Sequence, residues 1–130
     1  MVNEGKVSIH PILHYGNPAA AIRFLTEAFG FRELVVHKGL DGSITYVELE
    51  FGGAHIGFGP TSDRSSPFDL GPVGVYVALD DPDAHHEWAV AAGVEIVMGL
   101  TDSDHGSRDY AARDPEGNVW CFGTYRPGTS

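Results

Sequence analysis

Apolar and polar residues alternate along this chain in short runs, and helical spacing interrupts them twice. Ile22, Leu25 and Phe29 recur at intervals of three and four, as one face of a helix does. Ala84, Trp88, Ala91 and Ala92 form a second such face. Asn17 and Asp81 suit the N-cap, where a side-chain oxygen accepts from an orphan backbone N–H. Pro18 and Pro82 follow at the first helical position, where no N–H is needed. Gly30 and Gly93 suit the C-terminal stop. The other apolar runs read as strands over residues 7–15, 32–38, 44–51, 54–59, 73–79, 95–98, 108–113 and 119–125. Asp41-Gly42 is a turn dipeptide between the second and third strands. Residues 62–72 are rich in Ser, Asp, Gly and Pro and read as a linker. Residues 99–107 read as an acidic loop, a candidate lid hinged at Gly99 and Gly106. Helices and strands together predict an α+β domain.

The two helical segments belong to a repeat. Asn17, Pro18 and Phe24 align with Asp81, Pro82 and Trp88 at an offset of 64 residues. The stretch from Gly53 to Gly59 aligns with that from Gly117 to Gly123 at the same offset. Two landmarks at one offset, before and after the intervening strands, argue for a duplicated βαβββ unit. Module one covers about residues 7–60, the linker about 61–72 and module two about 73–125, in one domain spanning 1–130.

Composition narrows the function classes. A chain of 130 residues with 42% apolar content is long enough for a real core. Its formal net charge is −10, from 18 acidic and 8 basic residues. Such a field repels phosphate backbones, excluding nucleic acid as a natural partner, and favours a cationic ligand or simply solubility. A single cysteine, Cys121, cannot form an internal disulfide. No signal-like start or membrane-length apolar run is present, so a cytoplasmic protein without a membrane partner is expected.

The βαβββ duplication, the stretch from Asn17 to Phe31, and Arg113-Asp114-Pro115-Glu116-Gly117-Asn118 before the last strand resemble the vicinal oxygen chelate superfamily. That superfamily includes glyoxalase I, extradiol dioxygenases, fosfomycin-inactivating thiol transferases and bleomycin-resistance proteins. The tail from Trp120 to Tyr125 is similar to its glyoxalase-like subgroup. The resemblance implies a curved mixed sheet, an open half-barrel around a central pocket, and a homodimer with pockets near the interface. It also implies one metal ligand on each of the first, fourth, fifth and eighth strands. Those places fall on His10, Gly57, Gly74 and Cys121. Two glycines have no donor atoms, so only His10 and Cys121 remain where catalytic sites usually present three protein ligands. No metal cofactor is therefore expected. The alternative is a divalent metal in a shifted register, held by His10, His14, His55 and Cys121.

Strand alternation assigns the faces. Leu13, Tyr15, Ile56, Phe58, Val75, Val77, Leu79, Trp120 and Phe122 are expected under the helices. The pocket face then carries His10, Ile12, His14, Tyr46, Glu48, His55, Tyr76, Tyr110, Val119 and Cys121. Gly57 and Gly74 are expected to open space there. Aromatic rings and one carboxylate suit an aromatic or cationic organic ligand, with Glu48 pairing the cation. The leading expectation is thus a metal-free small-molecule-binding protein of the resistance kind. The alternatives are a metal-dependent glyoxalase-like lyase, dioxygenase or thiol transferase with non-standard ligands, and a metal-free enzyme using His10 or Glu48 as base. His85-His86-Glu87 reads as a solvated helix face. Cys121 has no adjacent cation in sequence and reads as an inert thiol.

Overall fold

The computed structural model describes residues 9–61, 71–104 and 106–126. The start expected for the first strand and most of the linker lie outside those residues. Ten elements follow in order: β1 (Ile12–Tyr15), α1 (Pro18–Phe29), β2 (Arg32–Lys38), β3 (Ile44–Phe51), β4 (Ala54–Pro60), β5 (Gly74–Ala78), α2 (Pro82–Ala91), β6 (Glu95–Asp102), β7 (Arg108–Arg113) and β8 (Val119–Gly123). They form two four-stranded mixed sheets of the same order, β1-β4-β3-β2 and β5-β8-β7-β6. In each, the first strand runs parallel to the fourth and the rest are antiparallel. This is the expected α+β duplication, with neither sheet closed into a barrel.

The caps form as the sequence dictates. Asn17 Oδ1 accepts from Ala20 N at 3.1 Å, and Asp81 Oδ1 accepts from Ala84 N at 3.0 Å. Gly30 ends α1 at φ 87°, a left-handed conformation that glycine adopts without a Cβ penalty. Along α1, Ala21, Leu25, Ala28 and Phe29 are buried.

Both helices lie between the sheets. Phe29 of α1 packs its ring on Trp120 and Phe122 of β8, and Phe31 packs on Trp120. Leu13, Tyr15, Val47, Leu49, Ile56, Phe58, Trp120 and Phe122 join them in one core shared by both modules. Each such fully buried side chain contributes about 1.5–3 kcal/mol of transfer free energy. Val75, Val77 and Leu79 pack against the core but stay half-buried. Because the helix side of each sheet faces inward, the opposite faces point outward.

Several expectations need correction. His10 lies before β1 and is exposed. β6 continues to Asp102, so Gly99 is a strand residue rather than a hinge, and only a short turn precedes β7. β8 stops at Gly123. The alanine-and-tryptophan face of α2 points to solvent, with Trp88 60% exposed, while Ala89 and Pro82 are buried.

His85 is not on a solvated face. It sits half-buried, with Nδ1 2.6 Å from the Tyr110 hydroxyl and Nε2 2.8 Å from the Phe29 carbonyl oxygen. A carbonyl only accepts, so Nε2 carries the hydrogen and Nδ1 accepts from Tyr110. With both nitrogens satisfied, the ring can enter an aromatic cluster that includes Phe122, at a centroid distance of 4.1 Å. Burial pushes its pKa below the usual histidine value.

The turn Asp114-Pro115-Glu116-Gly117-Asn118 locks the modules together. Asp114 Oδ2 accepts from the Tyr15 hydroxyl at 2.7 Å, Asn118 Nδ2 at 3.0 Å and Trp120 Nε1 at 3.1 Å. Asp114 Oδ1 accepts from the backbone N–H groups of Glu116 and Asn118, both at 3.0 Å. The Glu116 carboxylate accepts from Gly16 N and Asn17 N at the start of α1. The motif that carries the family resemblance is thus a structural hub between modules.

Candidate site on the outer sheet faces

Register brings Ile12, Gly57, Glu48 and Val35 into one row across the outer face of the first sheet. His14 lies opposite Gly59, and His37 opposite Tyr46, whose ring it stacks on at 6.3 Å. Gly57 does not open space here. A Cβ built on it would collide with the Tyr46 hydroxyl, so the phenol lies across the glycine. Partial burial, then the Glu48 charge and hydrogen bond, push the Tyr46 pKa up. His55 is exposed and borders a groove of about 680 Å³ between the modules, with Phe31, Phe51, Val77 and Leu79 along its walls.

The second sheet presents Tyr76, Cys121 and Ala111 in one row, with Gly74 and Val119 on one side and Gly123 and Asp109 on the other. Nothing lies within ordinary contact of a Cβ at Gly74 except the Val119 carbonyl oxygen at 3.9 Å, so this glycine does leave room. The Tyr76 hydroxyl donates to Asp109 Oδ1 at 2.7 Å and accepts from Tyr125 N at 3.0 Å. Ser107 Oγ donates to Asp109 Oδ2 at 3.0 Å. An open recess of about 540 Å³ is lined by Tyr76, Ser103, Ser107, Asp109 and Tyr125. Burial first, then the bond to Asp109, push the Tyr76 pKa up to about 12. The Cys121 thiol is raised by burial and by the Asp109 charge, the opposite of what a nucleophilic thiol needs.

Tyr110 is a correction. It is fully buried against Phe122 and His85, on the helix side of the sheet. Val47 pairs with Phe58 in module one, whereas Tyr110 pairs with Phe122 in module two. Between Arg113 and Val119 lie five residues, where Glu50 and His55 enclose four. That one extra residue shifts β7 against the repeat, and a shift of one residue moves a side chain to the other face. Asp109 was missed for the same reason, whereas Ser103 and Ser107 lie in the turn before β7 and Tyr125 lies beyond β8. Reading β7 from its pairing with β8 would have found Asp109 opposite Gly123.

These residues do not fit a metal centre within one chain. Gly57 and Gly74 bring no donor, and His10 is exposed ahead of its strand. His14 and His55 belong to the first sheet and Cys121 to the second. Among the described residues, no three His, Cys, Asp or Glu side chains are grouped to hold a metal ion. No helix among them is long and apolar enough to cross a membrane.

The fold and the paired outer faces define a two-module protein of the vicinal oxygen chelate type. Residues 8–122 match the model of the Glyoxalase/Bleomycin resistance protein/Dioxygenase superfamily, and the chain belongs to that superfamily. It is 31% identical to TioX from Micromonospora sp. ML1, with a TM-score of 0.80, covering 92% of this chain and 100% of that one. An uncharacterized protein of Mycobacterium bovis is 29% identical over 124 residues, covering 89% of this chain and 82% of that one. A lactoylglutathione lyase from Agrobacterium tumefaciens shares the fold at a TM-score of 0.71 and 19% identity, over 93% of this chain and 96% of that one.

Proposed function

We propose that this chain is a small-molecule-binding protein for an aromatic or cationic organic compound, and that its cavity is shared between two copies. The outer face of the first sheet in one copy would oppose the outer face of the second sheet in its partner. The observation that carries this reading is the position of the helices. With both helices between the sheets, Ile12, Tyr46 and Glu48 point away from Tyr76, Asp109 and Cys121, and one chain cannot wrap them around a ligand. Ile12 and Tyr76, on the edge strands β1 and β5, stay 47% and 42% exposed and leave apolar surface on each outer face beside an open edge. Among the described residues β1 bonds only to β4 and β5 only to β8, leaving two open strand edges for a second copy. Binding needs no cofactor in this reading.

A thermal-shift comparison of aromatic amines with neutral and acidic aromatic analogues tests it. Aromatic amines should raise the melting temperature, and an arginine at Ile12 or at Tyr76 should abolish the rise. Absence of any shift, or a stoichiometric divalent metal in untagged protein whose removal abolishes function, would contradict it.

A further inference from the structure

We propose that the recess at Tyr76, Asp109 and Ser107 is the subsite that recognises the cationic group of the ligand, as an amidinium, guanidinium or ammonium carrying at least two N–H donors. This deepens the binding-protein reading and rests on it. It moves the cation from Glu48 to the other module.

The argument is the direction of the hydrogens. Tyr76 gives its hydroxyl hydrogen to Asp109 Oδ1 and uses a lone pair for Tyr125 N. Ser107 gives its hydrogen to Asp109 Oδ2, so the 2.7 Å contact between Ser103 Oγ and Ser107 Oγ must be donated by Ser103. Every hydroxyl hydrogen of this network therefore points along the chain toward the carboxylate. What it offers an incoming group is lone pairs. A carboxylate has about four acceptor positions, and two are used by Tyr76 and Ser107. The remainder suit a donor-rich cation and reject a carboxylate or phosphate.

Three further features agree. Among the described residues, none that lines the recess is basic. The Tyr76 and Tyr125 rings stand nearly perpendicular, at 83° with centroids 6.3 Å apart, and offer apolar walls for the body of the ligand. A Cβ at Gly123 would collide with both Asp109 and the Tyr76 hydroxyl, so glycine is what lets the pair lie flat on the sheet. Glu48 has a phenol beside it as well, but it lines none of the recesses described above.

Benzamidine, an aromatic amidinium, and benzamide, its neutral analogue, are the probes, followed by amide chemical shifts of isotope-labelled full-length protein. Benzamidine should move the amides of Tyr76, Asp109, Gly123 and Tyr125 saturably. Benzamide should bind at least roughly tenfold more weakly, and Asp109→Asn should weaken benzamidine by about the same factor and by more than Glu48→Gln does. Should Asp109→Asn fail to fold, nuclear Overhauser contacts from the benzamidine ring to the Tyr76 and Tyr125 rings of the unaltered protein decide the matter. Equal binding of the two probes overturns the proposal. Binding lost in Glu48→Gln but kept in Asp109→Asn overturns it while leaving the binding-protein reading intact. No saturable shift with either probe overturns both.

Discussion

The Tyr15 hydroxyl donates to the buried Asp114 carboxylate at 2.7 Å, joining the first strand of one module to the last turn of the other. Burial and the neighbouring carboxylate push the tyrosine pKa far up, so the phenol stays a donor. Asp114→Ala would leave the Tyr15 hydroxyl and the Trp120 indole without their acceptor, at about 1–3 kcal/mol for each buried donor. Urea unfolding should show a loss of about 2–6 kcal/mol, against about 1 kcal/mol for Tyr15→Phe. Equal small losses would mean that the turn is not the lock between modules.

His85 makes stability depend on pH. Its folded-state pKa lies below the unfolded value of about 6.5, so the unfolded chain binds the extra proton first. The contribution is fully present above about pH 6.5 and is lost as pH falls through that value toward the lower folded pKa. The slope from this group is at most about 1.4 kcal/mol per pH unit. Melting curves across this range should flatten in His85→Gln, after allowing for its lower starting stability. An unchanged slope would show that other groups carry the dependence.

The glycines on the outer faces should behave differently from one another. Gly74→Ala meets open space and should change stability by less than about 0.5 kcal/mol. Gly57→Ala must displace Tyr46, and Gly123→Ala must displace Tyr76 and Asp109, each at about 1–3 kcal/mol of overpacking. Thermal melts of the three variants check the order. A tolerated Gly123→Ala would place the Tyr76–Asp109 pair elsewhere.

The helix caps, the Asp41-Gly42 turn, the duplication and most of the core were legible in the sequence, because they rest on local rules of capping, turn chemistry and alternation. The same alternation placed Ile12, Glu48 and Cys121 on the outer faces, where the register puts them. Tyr110 was assigned to the wrong face, and Asp109 was left out, because the offset of 64 fails across one extra turn residue, which no local pattern marks. His85 was misread because a polar residue enters a core only when both its partners are there, and Phe29 and Tyr110 come from distant parts of the chain. That the two faces point apart depends on how the helices of the two modules meet, which is a long-range property.

The account stands most directly on a second copy completing the cavity. Light scattering on the full-length chain at micromolar concentration should give a mass of about twice 14.0 kDa. Ile12→Arg or Tyr76→Arg on the outer faces should shift it toward the single-chain value. A mass of 14.0 kDa for the unaltered protein, with ligand bound at full affinity, would contradict the shared cavity.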